Sequence, residues 1–420
     1  MNYLLAALFV LAYACIAARE VPFFKSGRAG IAVLGAVVIV AVGKLSPRFG
    51  LTFRGAEEAI ERSTLLLLFG TMIVARGFAE AGAFARGSRL LQPLAKNPRL
   101  LLATLALVSG FASALLVNDA ICILLTPFVI HFLQTNRLPL KPYMFAIAMG
   151  SNAGSAYTLG GNPQNMLVAR LSGISYRQYV GAAALPTTVA LVVTIAGLLW
   201  VFRAVATVSS DSAPSESAAA LSERAQPPFD GPLALSCAGA LVALVGAACV
   251  GVPLPGAALV AGALVLAGAR SRATRILETV DYGVLVFFSA LFVLVAALGK
   301  TGVVEPLLAA LPTVGGPPGA WLLSGVLLVG SQIVSNVPLI LLLEPYLRHL
   351  GDPTTTWVLT ALVSTLAGNF SLLGSVANVI VFEQARAEAP VGFVEYARIG
   401  VPVTVAATAL AVGAFLALHD

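Results

Sequence analysis

An aspartate stands in the middle of a long apolar run, in "LLVNDAICILLTP". A carboxylate within a membrane-crossing segment is costly to hold, and such groups mark ion or proton sites. Asp119 could exchange a proton or coordinate sodium there, and it could also cap the helix that follows it. Neutral polar side chains interrupt other apolar runs in the same way. The stretch "GSNAGSAYTLGGNPQN" (150–165) carries Ser151, Asn152, Ser155, Thr158, Gly161, Asn162 and Asn165. The stretch "IVSNVP" carries Ser335 and Asn336, and "AGNFSLLGSVAN" carries Asn369, Ser371, Gly374 and Asn378. Together with Asn118 these residues form the candidate substrate- and ion-binding set. Na+ or H+ at Asp119 is the expected coupling ion, and no cofactor or metal centre is expected.

The glycines in these stretches predict that two helices unwind inside the membrane. Unpaired N–H and C=O groups in hydrocarbon cost several kcal/mol each, so irregular backbone persists there only where protein or an aqueous cavity satisfies it. Half-helices meeting at such a break offer carbonyls from one end and a positive dipole from the other, which together can hold a cation and a polar solute. Pro163, Pro338 and the glycines are read as architectural.

The elements that must position these groups follow from composition. The 420 residues are 59% hydrophobic and 10% charged, with a mean hydropathy of +0.93, which excludes a soluble globular protein. Apolar runs of about 17–25 residues recur along the chain, the length a helix needs to cross a bilayer. An all-α polytopic membrane protein is the expected fold. The net charge of +6 comes from basic residues in short loops between these runs, with no Lys/Arg stripe interleaved with aromatics, so no nucleic-acid partner is expected. Cys15, Cys122, Cys237 and Cys249 lie in apolar segments and form no CxxC pair, and His131, His349 and His419 form no cluster. No nucleophile–base set is visible, so an enzyme is not expected. A channel is disfavoured because paired hairpins would interrupt a continuous pore. The N-terminus lacks a basic leader and is read as a retained first span.

Two halves are expected. The first repeat (1–206) has spans near 2–18, 29–45 and 63–82, a re-entrant hairpin at about 98–134 with two half-length arms, a broken helix at about 143–171 and a span near 180–204. A Ser/Ala/Pro-rich linker (207–232) follows. The second repeat (233–420) has spans near 233–250, 254–269 and 279–299, a hairpin at about 318–350, a broken helix at about 354–388 and a last span near 399–418. At an offset of 213, Ser151, Leu159, Gly161, Asn165 and Val168 fall on Ser364, Leu372, Gly374, Asn378 and Val381; at 218, Asn118 and Pro127 fall on Asn336 and Pro345. Each half crosses five times, so the second is expected to run inverted. Lys and Arg number eight in loops on the side of the N-terminus and sixteen on the other, Arg76 excluded. The cytoplasmic side is the richer one, which puts the linker inside the cell and both termini outside, in the cell (inner) membrane. Arg76 and Glu80 are read as an interfacial i,i+4 pair, Glu344 and Glu383 as lying toward the cavity mouths, and Cys122 as a core cysteine.

"LLVNDAICILLTP", "GSNAGSAYTLGGNPQNML", "IVSNVPLILLLEP" and "LAGNFSLLGSVANVIVFE" resemble the ion-transporter superfamily over residues 20–418. The branch they look most similar to is the arsenite-permease and sodium/proton-antiporter group, related to the divalent-anion/sodium symporters. The symporters carry Ser-Asn-Thr at each hairpin tip. Here the tips read Val117-Asn118-Asp119 and Ser335-Asn336-Val337, which keep Asn at both and Thr at neither. The resemblance implies a homodimer in which a transport domain, built from the hairpins and broken helices, makes an elevator-like shift against a fixed scaffold. The expected function is ion-coupled transport of a small oxyanion or neutral oxyacid such as arsenite, antimonite or silicic acid, exchanged for protons. Sodium/proton antiport and sodium-coupled dicarboxylate or sulfate symport are the alternatives.

Overall fold

A computed structural model describes residues 3–18, 27–45, 51–83, 90–203, 229–301, 316–350 and 353–419. Every regular element among them is helical. The expected linker lies mostly outside the described residues. At its end, Asp230 accepts a hydrogen bond from the Leu233 amide at 2.9 Å and starts the next helix. That bond and the neighbouring Arg272 guanidinium hold the Asp230 carboxyl below the usual carboxylate range.

The first half runs α1 (Tyr3–Ala18), α2 (Gly27–Leu45), α3 (Phe53–Ala59) and α4 (Arg62–Glu80), then the arms α5 (Pro98–Leu115) and α6 (Asn118–Thr135). The broken pair α7 (Leu140–Ser155) and α8 (Pro163–Ser172) comes next, followed by α9 (Tyr176–Val201). The second half runs α10 (Gly231–Cys249), α11 (Leu254–Ala269), α12 (Ala273–Glu278) and α13 (Tyr282–Gly299), then the arms α14 (Gly316–Val334) and α15 (Asn336–Leu347). The broken pair α16 (Pro353–Ala367) and α17 (Val376–Gln384) and the long α18 (Phe393–His419) complete it. Nine of the described helical stretches are long and apolar enough to cross a membrane, as expected of a multi-pass membrane protein.

Three expectations need correction. The arms of the first hairpin are 18 residues each, about 27 Å long at 1.5 Å per residue, and not half-length. The run from Pro98 to Leu115 contains neither an internal proline nor a polar cluster, so nothing stops the helix before Leu116–Val117. Helix α3 was not anticipated: its Arg54, Glu57 and Glu58 hide it from a search for apolar runs, and Thr52 caps it by accepting from the Gly55 amide at 3.1 Å. Glu80 pairs with Arg275 (3.4 Å), not with Arg76, because α12 brings a guanidinium to the end of α4.

Backbone meets backbone where the first hairpin joins the broken helix. A Cβ on Gly154 of α7 would lie 2.2 Å from the Gly110 Cα of α5, and one on Gly150 would lie 2.5 Å from the Ala106 carbonyl oxygen. Such contact brings a polar helix end and a hairpin arm close enough to share hydrogen bonds, as small residues do between membrane helices. Gly154→Ala is expected to force α5 and α7 apart at a cost of about 1–3 kcal/mol. Gly413→Ala in α18, where the new Cβ meets nothing within 4 Å, is expected to leave stability level or raised. Thermal unfolding of both variants in one detergent measures the difference.

Candidate functional site

Both broken helices unwind. Helix α7 ends at Ser155 and α8 begins at Pro163, a residue whose missing N–H is harmless at the first helical position. Asn162 caps α8 by accepting from the Asn165 amide at 2.8 Å. In the second half α16 ends at Ala367 and α17 begins at Val376, where Ser375 accepts from the Ala377 amide at 3.2 Å. The irregular residues are thus 156–162 and 368–375, while Gly150–Ser155, part of the polar stretch in the sequence, remain helical.

The carbonyls freed by each break are answered by one asparagine in each half. Asn165 directs Nδ2 to the Ser155 and Thr158 carbonyls (3.3 and 3.0 Å), and Asn378 directs its own to the Gly368 and Ser371 carbonyls (2.7 and 3.0 Å). These are equivalent positions at an offset of 213. The two breaks are then crossed over. Thr365 Oγ1 donates to Asn165 Oδ1 at 3.0 Å, and its counterpart Asn152 donates to Asn378 Oδ1 at 2.8 Å. Asn162 Nδ2 donates to Thr365 Oγ1 (3.0 Å), and its counterpart Ser375 donates to Asn152 Oδ1 (2.9 Å).

Asn152 is the node. Its Oδ1 also accepts from Asn118 Nδ2 at 3.0 Å, and its Nδ2 also donates to Asn369 Oδ1 at 2.9 Å, so its two acceptor and two donor positions are filled. Asn369 continues to the Met149 carbonyl at 2.9 Å. Ser151 bonds Ser113 (2.7 Å), Ser155 bonds the Asn152 carbonyl (2.8 Å), Thr158 bonds the Ala114 carbonyl (2.5 Å), and the Gly161 carbonyl accepts from the Asn118 amide (2.9 Å).

A cavity of about 170 Å³ lies between the start of α8, the loop 368–375, the two hairpin tips and α13. At roughly 30 Å³ per water it has room for a small inorganic solute and falls short of the volumes that enclose drug-sized ligands. Of the sequence-predicted set, Asn118, Asp119, Ser335, Asn336 and Gly374 line it. Ser151, Asn152, Ser155, Thr158, Gly161, Asn162, Asn165, Asn369, Ser371 and Asn378 do not; they form the buried frame behind it. Pro163, Gln164, Ser331, Gln332 and Ser375 also line it and were missed, as was the apolar wall of Phe287, Phe288 and Leu291. Ser375 was findable, since it is the counterpart of Asn162; Gln332 stands out only as an amide in an apolar run.

Two polar atoms at the cavity residues are buried without a hydrogen-bond partner among the described residues: Asn336 Oδ1 and Ser331 Oγ. Asp119 is buried, its amide donates to Asn118 Oδ1 at 2.9 Å, and its carboxylate pairs with no Lys, Arg or His among the described residues. Glu344 and Glu383 pair with Arg348 (2.5 Å) and Arg386 (3.2 Å) and do not line the cavity. The Cys122 thiol donates to Ser151 Oγ at 3.4 Å, inside the core.

Frame and cavity groups are expected to respond differently to truncation. Asn152→Ala strands three buried partners and the half-buried Ser375 hydroxyl and should lower stability by several kcal/mol, at about 1–3 kcal/mol per buried group left unsatisfied. Asn336→Ala removes a buried amide with one 3.4 Å bond, to the Gly374 carbonyl, and should cost about 0.5–1.5 kcal/mol, less than Asn152→Ala, while reducing flux. Unfolding temperature and transport, measured on the same preparations, separate the two.

The profile of the citrate transporter family, CitMHS, matches residues 13–367. The silicon efflux transporter LSI3 of Oryza sativa subsp. japonica is 30% identical, covering 94% of this chain and 93% of that protein. The putative transporter arsB of Dictyostelium discoideum is 24% identical, over 96% and 89%. Among solved structures, the YdaH transporter of Alcanivorax borkumensis superposes with a TM-score of 0.51 at 16% identity, covering 100% of this chain and 98% of that one, a likeness of fold alone. A buried polar frame between two interrupted helices, carried by a multi-pass helical chain, is thus part of a membrane transporter and not of an enzyme. The chain belongs to the citrate transporter family, within the ion transporter superfamily.

Proposed function

We propose that the protein is an ion-coupled secondary active transporter of a small oxyanion or neutral oxyacid such as arsenite, antimonite or silicic acid, exchanged for protons. The observation that carries this reading is the cavity. Among the described residues its one charged lining residue is Asp119, beside acceptor atoms that have no partner there. Such a lining suits a solute that donates O–H hydrogen bonds and leaves a multiply charged carboxylate without a counter-charge. Citrate, from which the family takes its description, would bring up to three negative charges to a cavity that already holds a carboxylate. The names of the silicon efflux and arsB relatives point the same way.

The architecture we attach to this function has two inverted repeats of five crossings, one re-entrant hairpin and one broken helix in each. The hydrogen bonds recurring at an offset of 213 support that assignment. An odd number of crossings per half places the two hairpins on opposite faces of the membrane. Elevator-type alternating access, a homodimer, the cell membrane as location and outward-facing termini belong to the same proposal. The amides frame the cargo cavity, and Asp119 carries the coupling H+ or Na+.

Sodium/proton antiport is the second reading, favoured by a carboxylate that lines the cavity with no cationic side chain paired to it among the described residues. Asp119 would then be the ion carrier itself, and no second solute would bind.

Flux into proteoliposomes, with arsenite, silicic acid, sulfate, succinate, citrate and sodium each offered under an imposed pH or sodium gradient, distinguishes these readings. Saturable uptake of arsenite or silicic acid driven by the pH gradient is expected. Asp119→Asn should keep the unfolding temperature within a few degrees and abolish gradient-driven accumulation. Full accumulation by that variant removes Asp119 from the coupling step, and sodium flux with no solute flux establishes the antiporter.

A further inference from the structure

We propose that the second hairpin, and not the first, is the part of the site that opens to cargo, with Gln332 as the positioning residue that latches it to the unwound loop 368–375. This inference rests on the transporter reading above. Its starting point is a difference between the two halves at equivalent positions.

Of the bonds that hold the first hairpin to its loop and broken helix, three fall at positions that can be compared directly with the second half. The Asn118 backbone amide donates to the Gly161 carbonyl at 2.9 Å, Thr158 Oγ1 donates to the Ala114 carbonyl at 2.5 Å, and the Ser113 and Ser151 hydroxyls meet at 2.7 Å. Two of these involve hairpin main chain, which cannot let go without moving the hairpin itself.

The counterparts in the second half are Asn336, Gly374, Ser371, Gln332, Ser331 and Ser364. Here Asn336 reaches the Gly374 carbonyl only through its side chain, at 3.4 Å. Ser331 Oγ has no partner among the described residues, and Ser364 bonds within its own helix, to the Ala361 carbonyl at 3.3 Å. Ser371 Oγ donates to Gln332 Oε1 at 2.8 Å, a side-chain acceptor where the first half uses the Ala114 carbonyl. Gln332 Nε2 in turn donates to the Ala367 carbonyl at 2.9 Å, the last carbonyl of α16 before the break. One flexible side chain therefore spans the joint that main-chain bonds make in the first half. A rotamer change at Gln332 releases both loop contacts together.

The tips differ as well. Val117, at the first, has ordinary extended backbone (φ −63, ψ 132), whereas Ser335, at the second, has φ 66 and ψ 162, a conformation that L residues rarely adopt. Strain of this kind concentrates at ligand clamps and switch regions. Ser331, Gln332, Ser335 and Asn336 all line the cavity, so a solute there touches the loosely held element directly. Bound O–H groups would supply the partners that Ser331 and Asn336 lack and draw the hairpin down onto the loop.

Hydrogen–deuterium exchange of the full-length protein in lipid nanodiscs tests this. Without cargo, amides of 331–338 are expected to exchange at least about tenfold faster than those of 113–120, as befits a local opening of lower free energy. Arsenite or silicic acid should slow 331–338 and 368–375 and leave 113–120 as they were. In Gln332→Ala that slowing should vanish and the KM for transport should rise about tenfold with the maximal rate held. Equal exchange at the two tips without cargo, protection confined to 113–120, or an unchanged KM in Gln332→Ala each overturns the proposal. If neither solute changes exchange anywhere, the assigned cargo is wrong, and the cargo-free comparison still decides between the hairpins.

Discussion

A helix that unwinds inside a membrane must find partners for its backbone without water, and the rest of this structure follows from how that need is met. Asn165 and Asn378 each cover two carbonyls at a break. Asn152 then joins the second break to the tip of the first hairpin, and the asparagine covering each break is itself held by a side chain from the other half of the chain. Fully satisfied polar networks of this kind fix one arrangement, while a half-satisfied one is worse than an apolar core. The close backbone contact of Gly110 with Gly154 serves the same end by bringing the hairpin arm within reach of the helix it must bond.

A consequence is a division of labour among residues of the same type. Asn152, at the centre of the frame, has no capacity left for a solute. Asn336 at the second hairpin tip is also an asparagine, yet its Oδ1 is without a partner among the described residues and it lines the cavity. Helix α13 closes the cavity with Phe287, Phe288 and Leu291, apolar side chains that keep competing water out of one side.

Much of this was legible in the sequence because clustered glycine and asparagine weaken a membrane helix, so that their presence inside an apolar run marks backbone that must unwind or pack closely. Both breaks, both tips and the register of 213 residues came from those letters. The extent of each break did not: Gly150 and Gly154 looked like helix breakers, but they serve close packing within α7. Nor did the sorting of frame from cavity, since a pattern of polar residues carries no record of which bonds are already made. Gln332 escaped notice because its role depends on a carbonyl 35 positions away, at Ala367. Helix α3 escaped for the opposite reason, being charged and short where only long apolar stretches were sought.

An amide neither gains nor loses a proton anywhere in the ordinary aqueous range, and the network around Asn152 is assembled from amides, hydroxyls and main-chain groups alone. Its geometry is therefore blind to acidity on either face of the membrane. In the exchange proposed above, Asp119, borne on the same hairpin tip, would change its charge while the scaffolding of dipoles behind it keeps one shape. On that proposal, sensitivity to the driving ion would be confined to a single carboxyl, and the polar frame behind the cargo would not need rebuilding from cycle to cycle.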